Sequence, residues 1–280
     1  MNRHIFFSRL AQTFGLTGLP RACFLFLLLP LATTVFADPA PSSNSLPWSC
    51  DFEDPPYVNG TFLIDGTNGW YSSPGVYDTN LPPQTSVVQN VHVNSGSQAA
   101  EVAIGDTLES RFVSTSERVV RLEMFVQPQL WTSSVYPSLT SPNVAYPAAQ
   151  FLVNSNGYFV VANGTNWSVV TSKGDGTAIP ITNNYFTKIQ VNLCYRNHTW
   201  SLKAWTNDTD LVAISPYVNF TSNLNAFSGF CVYGGTTNCY LDDLIVTNID
   251  YTLLPKVNGV PRDDIKSING APPSLVINGI

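Results

Sequence analysis

The chain has 280 residues, of which 44% are hydrophobic and only 11% are charged, and its formal net charge is −6. An acidic chain without a basic cluster argues against nucleic acid and anionic membrane as partners. Asn, Ser, Thr, Gly and Pro fill the polar positions. With many aromatic residues, they favour strands and turns over helices.

The N-terminal segment has the pattern of a signal peptide. Arg3, Arg9 and Arg21 precede an apolar run that starts at Ala22, and small residues end at Ala37. The run is shorter than the roughly 20 residues that span a bilayer. We therefore predict a signal peptide over residues 1–37, with a retained anchor or a buried helix as the alternative.

Removal of residues 1–37 would change the net charge of the chain, and the signal peptide itself predicts the location of the protein. Removing these three Arg from 13 basic residues leaves 10, against 19 acidic residues, so the mature chain has a net charge of −9. No later apolar run is long enough to cross a membrane. We expect a secreted, periplasmic or cell-surface protein.

The remaining length fits one all-β domain with short flanking segments. Residues 38–48 are rich in Pro and Ser and are predicted to be a linker. Residues 49–249 are predicted to form a two-sheet antiparallel β-sandwich of the jelly-roll type. Residues 250–280 repeat Asn-Gly three times. They are predicted to be a separate tail: a poorly ordered terminus, a spacer, a docking strand or a partner-binding strip.

The first clear strand and a three-stranded meander follow from local patterns. Apolar residues alternate in 119–126, which places Val120, Leu122, Met124 and Val126 on one face. In residues 149–171, turns at 154–157 and 163–166 separate three apolar runs. Asn-Gly between apolar runs is a strong hairpin signal.

A second hairpin is expected between residues 189–195 and 200–205. Pairing Tyr195 with Trp200 also pairs Leu193 with Leu202, so both apolar sets share one face. This register leaves Cys194 and Trp205 on the polar face.

Four cysteines remain after the signal segment, and an even number in an oxidising compartment suggests disulfides. Cys231 and Cys239 are symmetric about Gly235. A regular hairpin there would place the two sulfurs on one face, so we predict a Cys231–Cys239 disulfide. Whether Cys50 and Cys194 pair or stay free is left open.

Several short phrases follow one another in a recognisable order between residues 51 and 247. They are Asp51-Phe-Glu-Asp54, Gly69-Trp70, Gly96-Ser-Gln-Ala99, Phe151–Tyr158, Asn163–Trp167, Thr199-Trp-Ser-Leu202 and Tyr240-Leu-Asp-Asp-Leu244. In this order they resemble the laminin G-like, concanavalin A-like lectin/glucanase jelly rolls of bacterial exported or surface proteins. The resemblance implies a jelly roll whose curved sheet often holds sugar. The same fold hosts lectins, glycosidases and adhesive modules.

No catalytic residue is predicted. Glycoside hydrolysis needs two carboxylates at a set separation, and the Glu-x-Asp-x-x-Glu strand of the resembled glucanases is absent. Glu123 lies alone between Arg121 and Phe125, and there is no Gly-x-Ser-x-Gly motif. A glycosidase of this fold with atypical acids remains the alternative.

A structural calcium site is one interpretation of the acidic residues. Asp51 and Glu53 lie on the first strand of the domain, and Asp242 and Asp243 lie on the last. The first and last strands of jelly rolls commonly run side by side, and Ca²⁺ takes about six to eight oxygen ligands. The alternative is that these acids simply face solvent.

The candidate ligand-binding residues are aromatic. Trp131, Tyr136 and Tyr146 lie in one long loop, 127–148, and loops of this length are often functional. Trp205 is expected on the polar side of its hairpin. Aromatic rings stack on the apolar faces of sugars, so a glycan is the predicted ligand, with a cell-surface protein as the other partner. A purely structural or adhesive module is the third interpretation.

Overall fold

A computed structural model describes residues 43–64, 66, 68–72, 85–115, 119–139, 147–249, 256–257 and 260–261. The predicted signal peptide lies outside these residues, as do parts of the predicted linker and most of the tail. Every regular element within the described residues is a β-strand. Among them, no helix is long and apolar enough to span a bilayer.

The strands are short and are numbered here in chain order. In order they are β1 (Trp48–Cys50), β2 (Trp70–Ser72), β3 (Val87–Gln89), β4 (Ala99–Val102), β5 (Thr107–Thr115), β6 (Val119–Gln127), β7 (Leu130–Trp131), β8 (Phe151–Asn154), β9 (Phe159–Asn163), β10 (Asn166–Val169), β11 (Thr187–Cys194), β12 (Thr199–Thr206), β13 (Asp210–Ile214), β14 (Val218–Asn219), β15 (Phe227–Tyr233), β16 (Cys239–Asn248), β17 (Lys256–Val257) and β18 (Val260–Pro261).

Three sheets build the domain, and all their described pairings except β7–β8 are antiparallel. The largest has nine strands in the order β13-β12-β11-β6-β16-β4-β3, with β1 added beside β16 and β14 beside β12. A four-stranded sheet has the order β10-β9-β8-β7, and a three-stranded sheet the order β15-β5-β2. The tail strands β17 and β18 pair with each other.

The sheets enclose one hydrophobic cluster, as the alternating pattern predicts. The expected inner face of β6 is confirmed, since Val120, Leu122, Met124 and Val126 are all buried. Trp200 of β12 is fully buried, and its indole N–H donates to the carbonyl of Ala162 in β9 at 3.1 Å. Inner residues of all three sheets belong to this cluster. The domain is therefore an all-β sandwich.

The predicted meander is confirmed in its order and turns. Strand β8 pairs with β9, and β9 pairs with β10, both antiparallel. The side-chain carboxamide of Asn154 accepts the backbone N–H groups of Asn156 and Tyr158, each at 3.0 Å. This local turn chemistry explains why the sequence alone located the meander.

The register predicted for the β11–β12 hairpin is wrong by two residues. Leu193 pairs with Trp200 and Val191 with Leu202, so the turn begins at Tyr195. Tyr195 is buried against Phe220, with ring centroids 5.3 Å apart, and this packing takes it out of the ladder. A shift of two preserves the faces, so Trp205 still points away from the core.

The predicted Cys231–Cys239 disulfide is not formed, and all four described cysteines are free thiols. Strand β15 pairs with β5, whereas β16 lies between β6 and β4 in the nine-stranded sheet. The two strands therefore belong to different sheets and make no hairpin. Burial raises the pKa of the Cys239 thiol to about 12.

Candidate functional site

Trp131 and Trp167 lie on the same outer face of the four-stranded sheet. Leu130 pairs with Val153, which is buried in the core, so Trp131 in the next position points away from the core. Trp167 pairs with Ala162, whose neighbour Val161 faces the core. The alternation of β-strands thus brings both indoles to one surface.

The first residues of the loop after β7 lie over this face, and the two indoles hold them at Val135 and Pro137. Trp131 Nε1 donates to the carbonyl of Val135 at 3.0 Å, and Trp167 Nε1 donates to the carbonyl of Pro137 at 2.8 Å. Two residues of chain span at most about 7 Å, so the indole nitrogens lie within about 13 Å of each other.

Tyr136 completes this group of rings. Its ring centroid lies 5.9 Å from that of Trp167, with an interplanar angle of 53°. All three side chains are partly exposed. Beneath them, Val160 and Ala162 are fully buried although they point away from the core, and Leu139 of the loop is buried too. We call Trp131, Tyr136 and Trp167 the aromatic surface.

The segment that builds the aromatic surface carries no ionisable acid or base. Residues 124–172 contain no Asp, Glu, Lys, Arg or His, and they supply β7 to β10 and the intervening loop. The composition shows that the chain has few charged residues, but only the fold shows that one uncharged segment forms a single surface. This run is the signal that would also have drawn attention to Trp167.

Of the other predicted ligand-binding residues, Trp205 does not join this surface. Trp205 pairs with Lys188 on the outer face of the nine-stranded sheet, the opposite side of the sandwich. Lys188 there forms an ion pair with Asp208 at 3.3 Å. Tyr146 lies outside the described residues.

Glu123 is engaged by its neighbours on the same outer face as Trp205. Its carboxylate accepts a hydrogen bond from Gln190 Nε2 at 2.9 Å and lies 3.7 Å from Arg121 Nη1. Arg121 also donates to the side chain of Asn192 at 3.1 Å. Glu123 is thus part of a polar ladder across the strands.

The expected neighbourhood of the first and last strands is confirmed, because β1 pairs with β16 over Trp48–Cys50. Glu53, three residues after β1, and the two acids of β16, however, hold one loop. Glu53 accepts the backbone N–H groups of Ser97 and Gln98, both at 2.7 Å. Hydrogen bonds from the hydroxyl and backbone of Ser97 lower the pKa of Glu53.

Asp242 and Asp243 hold the preceding part of the same loop. Asp242 accepts the backbone N–H groups of Asn94 at 2.9 Å and Ser95 at 3.2 Å, and Asp243 accepts their side-chain donors. A bulge with a φ of 48° at Asp243 turns both carboxylates to this loop. Burial raises the pKa of Asp242 to about 6.

Asp51 and Asp243 also line one cleft of about 590 Å³. Asp54 lies in the same lining, which includes the rings of Trp48 and Tyr57. Within the part of the chain that the structure describes, no three acids, histidines or cysteines are grouped to hold a metal ion. The four predicted metal ligands therefore do not form a ready calcium site.

Comparison with known proteins gives partial structural likenesses. No family model matches the chain, and no curated protein does. Part of a sialidase superposes with a TM-score of 0.41 and 8% identity over 69% of this chain, which spans only 19% of the sialidase.

Lectin I-B4 from Griffonia simplicifolia, in its metal-free form, superposes with a TM-score of 0.40 and 10% identity, covering 71% of this chain and 98% of the lectin. A xylan β-1,4-xylosidase from Bacillus halodurans C-125 gives 0.35 and 10% identity, covering 75% and 40% of the two chains. This chain is an all-β sandwich, and its function is inferred from its own side chains.

Proposed function

We propose that this chain is a non-catalytic carbohydrate-binding module whose binding face is the aromatic surface. The observation that carries the proposal is the fixed placement of three partly exposed rings on one face. The N–H groups of both indoles are already bonded to backbone carbonyls. The indoles are therefore held in place, so little side-chain freedom is lost when their partly exposed rings stack on the apolar faces of sugar rings.

The distribution of carboxylates supports binding rather than hydrolysis. A glycosidase places two carboxyl groups across the scissile bond, about 5 to 9.5 Å apart. Residues 124–172, which build the aromatic surface, supply none. Glu123 lies on the opposite side of the sandwich, where Gln190 and Arg121 engage it.

Replacing either indole of the aromatic surface should weaken binding to polysaccharide. We expect Trp131→Ala and Trp167→Ala each to raise the Kd about tenfold, because a lost stacking contact of about 1.4 kcal/mol corresponds to that factor. Affinity electrophoresis in gels containing soluble polysaccharides measures the change, and a reducing-sugar assay on the same polymers should show no release.

Trp205→Ala is the matched control, since it removes a partly exposed indole from the opposite side of the sandwich. Its Kd should stay within about twofold of that of the parent chain. Binding that depends on Trp205 but not on Trp167 would contradict the proposal, and so would hydrolysis of the bound polymer.

A structural calcium ion is a second proposal, and it concerns stability. Its support is that Asp51, Asp54 and Asp243 line one cleft without a basic side chain among the lining residues. Asp51 and Asp54 are exposed, so their carboxylates would have to turn toward Asp243 to share an ion.

Calorimetric titration of EDTA-treated protein with CaCl₂ tests the calcium proposal. We expect saturable binding and a Ca²⁺-dependent rise in Tm, since a ligand bound only by the folded state stabilises it. Asp243→Asn should abolish both effects. A thermal transition that is identical in EDTA and in excess Ca²⁺ would rule the ion out.

A further inference from the structure

We infer that the aromatic surface selects uncharged glycans and discriminates against polymers of uronic acids, sulfated sugars or free amino sugars. This inference rests on the proposed function and adds the charge class of the ligand. Its basis is that the segment forming the aromatic surface, and the segment that borders it, contain no charged residues.

The charge-free region extends beyond the segment that carries the rings. Residues 211–241 also contain no Asp, Glu, Lys, Arg or His. They include β14, which borders the four-stranded sheet through Asn219. The backbone N–H of Asn219 donates to Asn163 Oδ1 at 3.0 Å, and Gly164 N–H donates to the Asn219 carbonyl at 3.1 Å. The β9–β10 turn and β14 therefore carry no charged side chain where they meet at the sheet edge near Trp167.

The polar side chains near the rings carry hydroxyl groups. Ser133 and Ser134 are exposed in the loop that follows Trp131, and Thr165 is exposed in the turn that precedes β10. Hydroxyl groups both donate and accept hydrogen bonds, as those of sugars do. A carboxylate or sulfate is held best by Arg or Lys, and a free ammonium by a carboxylate. The segment offers neither.

Several of the charged side chains that the structure describes are paired with one another on the other two sheets. Lys188 binds Asp208, and Arg121 lies beside Glu123, all on the nine-stranded sheet. On the three-stranded sheet, Arg111 is bound to Glu109 at 3.1 Å. The chain as a whole is negative, which disfavours the approach of polyanions at low salt.

Matched pairs of polymers with one backbone test this inference. The probes are hydroxyethyl cellulose against carboxymethyl cellulose, dextran against dextran sulfate, and chitin against chitosan. For any backbone that binds, we expect the neutral member to bind at least about tenfold more tightly, a difference of about 1.4 kcal/mol. Its affinity should change less than about twofold between low and high NaCl, because no ion pair is screened.

A charge placed beside the rings should alter this selectivity. Val169→Lys puts a cation on the outer face of β10, which also carries Trp167, because Val169 pairs with Val160 and is exposed. It should strengthen binding to the acidic member of a pair relative to the neutral one. Thr209→Lys is the matched control, since it adds the same charge in the exposed turn between β12 and β13. The control should leave the ratio unchanged.

The outcomes separate this inference from the proposed function. Tighter binding of the charged member, or affinity that falls steeply with salt, overturns the inference while the aromatic surface remains a sugar site. Failure of every polymer to bind overturns the proposed function and this inference with it. Equal gains from Val169→Lys and Thr209→Lys would show that net charge, and not the surface, sets the selectivity.

Discussion

Trp200→Ala should lower the free energy of unfolding by about 3–5 kcal/mol, the usual cost of truncating a fully buried Trp. Trp200 is 0% exposed and lies on the inner face of β12. Its indole also joins the nine-stranded sheet to β9 through the Ala162 carbonyl. The substitution leaves a cavity between the two layers and an unpaired buried carbonyl. Urea denaturation followed by fluorescence and circular dichroism measures the change.

Two companion variants keep this prediction testable. Trp205→Ala, on the outer face of the same strand, should cost less than about 1 kcal/mol. Trp200→Phe keeps most of the ring volume but removes the hydrogen bond, and it should lower the free energy of unfolding by about 1–3 kcal/mol. This variant replaces Trp200→Ala as the test if the alanine variant does not fold. Equal costs for Trp200→Ala and Trp205→Ala would contradict the assignment of inner and outer faces.

Gly157→Ala should destabilise the domain by about 3 kcal/mol or more. Gly157 has a φ of 82°, and a Cβ there would lie 2.2 Å from the carbonyl oxygen of Ile181. The left-handed conformation alone costs an L-residue roughly 1–2 kcal/mol. The close approach adds a clash with backbone, because Ile181 N–H is hydrogen-bonded to the Gly157 carbonyl at 2.9 Å. The midpoint and slope of urea unfolding measure the effect.

Gly164→Ala provides the matched control in the next turn of the meander. Gly164 has a φ of 59°, but a Cβ there meets nothing within 4 Å. Its substitution should cost only about 1 kcal/mol, the conformational part alone. If the two variants lose the same stability, the contact between Gly157 and Ile181 contributes nothing, and the expected difference is wrong.

Local patterns were enough for much of the sheet structure. The inner face of β6 followed from alternation, because successive side chains of a strand point to opposite sides. The meander β8–β10 followed from Asn and Gly turns. In both cases the deciding interactions join residues close in sequence, such as Asn154 with Tyr158.

Part of the candidate site was also predictable from the sequence. Trp131 and Tyr136 stood out because their loop is long, and the structure places both on the aromatic surface. Trp167 was missed because its role depends on Pro137, thirty residues earlier, folding over the outer face of β10. The local pattern placed Trp205 on a polar face but did not show to which sheet that face belongs, so Trp205 was predicted together with Trp131 and Tyr136.

Alternation and turn residues are local features of the sequence, and they were sufficient to predict an all-β chain, the faces of its strands and its local turns. Which strands pair with one another became clear from the three-dimensional structure. Strand β16 pairs with β6 and β4, so no hairpin brings Cys231 to Cys239. The tertiary structure also shows that Glu53 and Asp242 hold the loop at Asn94–Gln98. These outcomes depend on pairings between distant segments, where many alternatives share the same local pattern and only packing of the whole core distinguishes them.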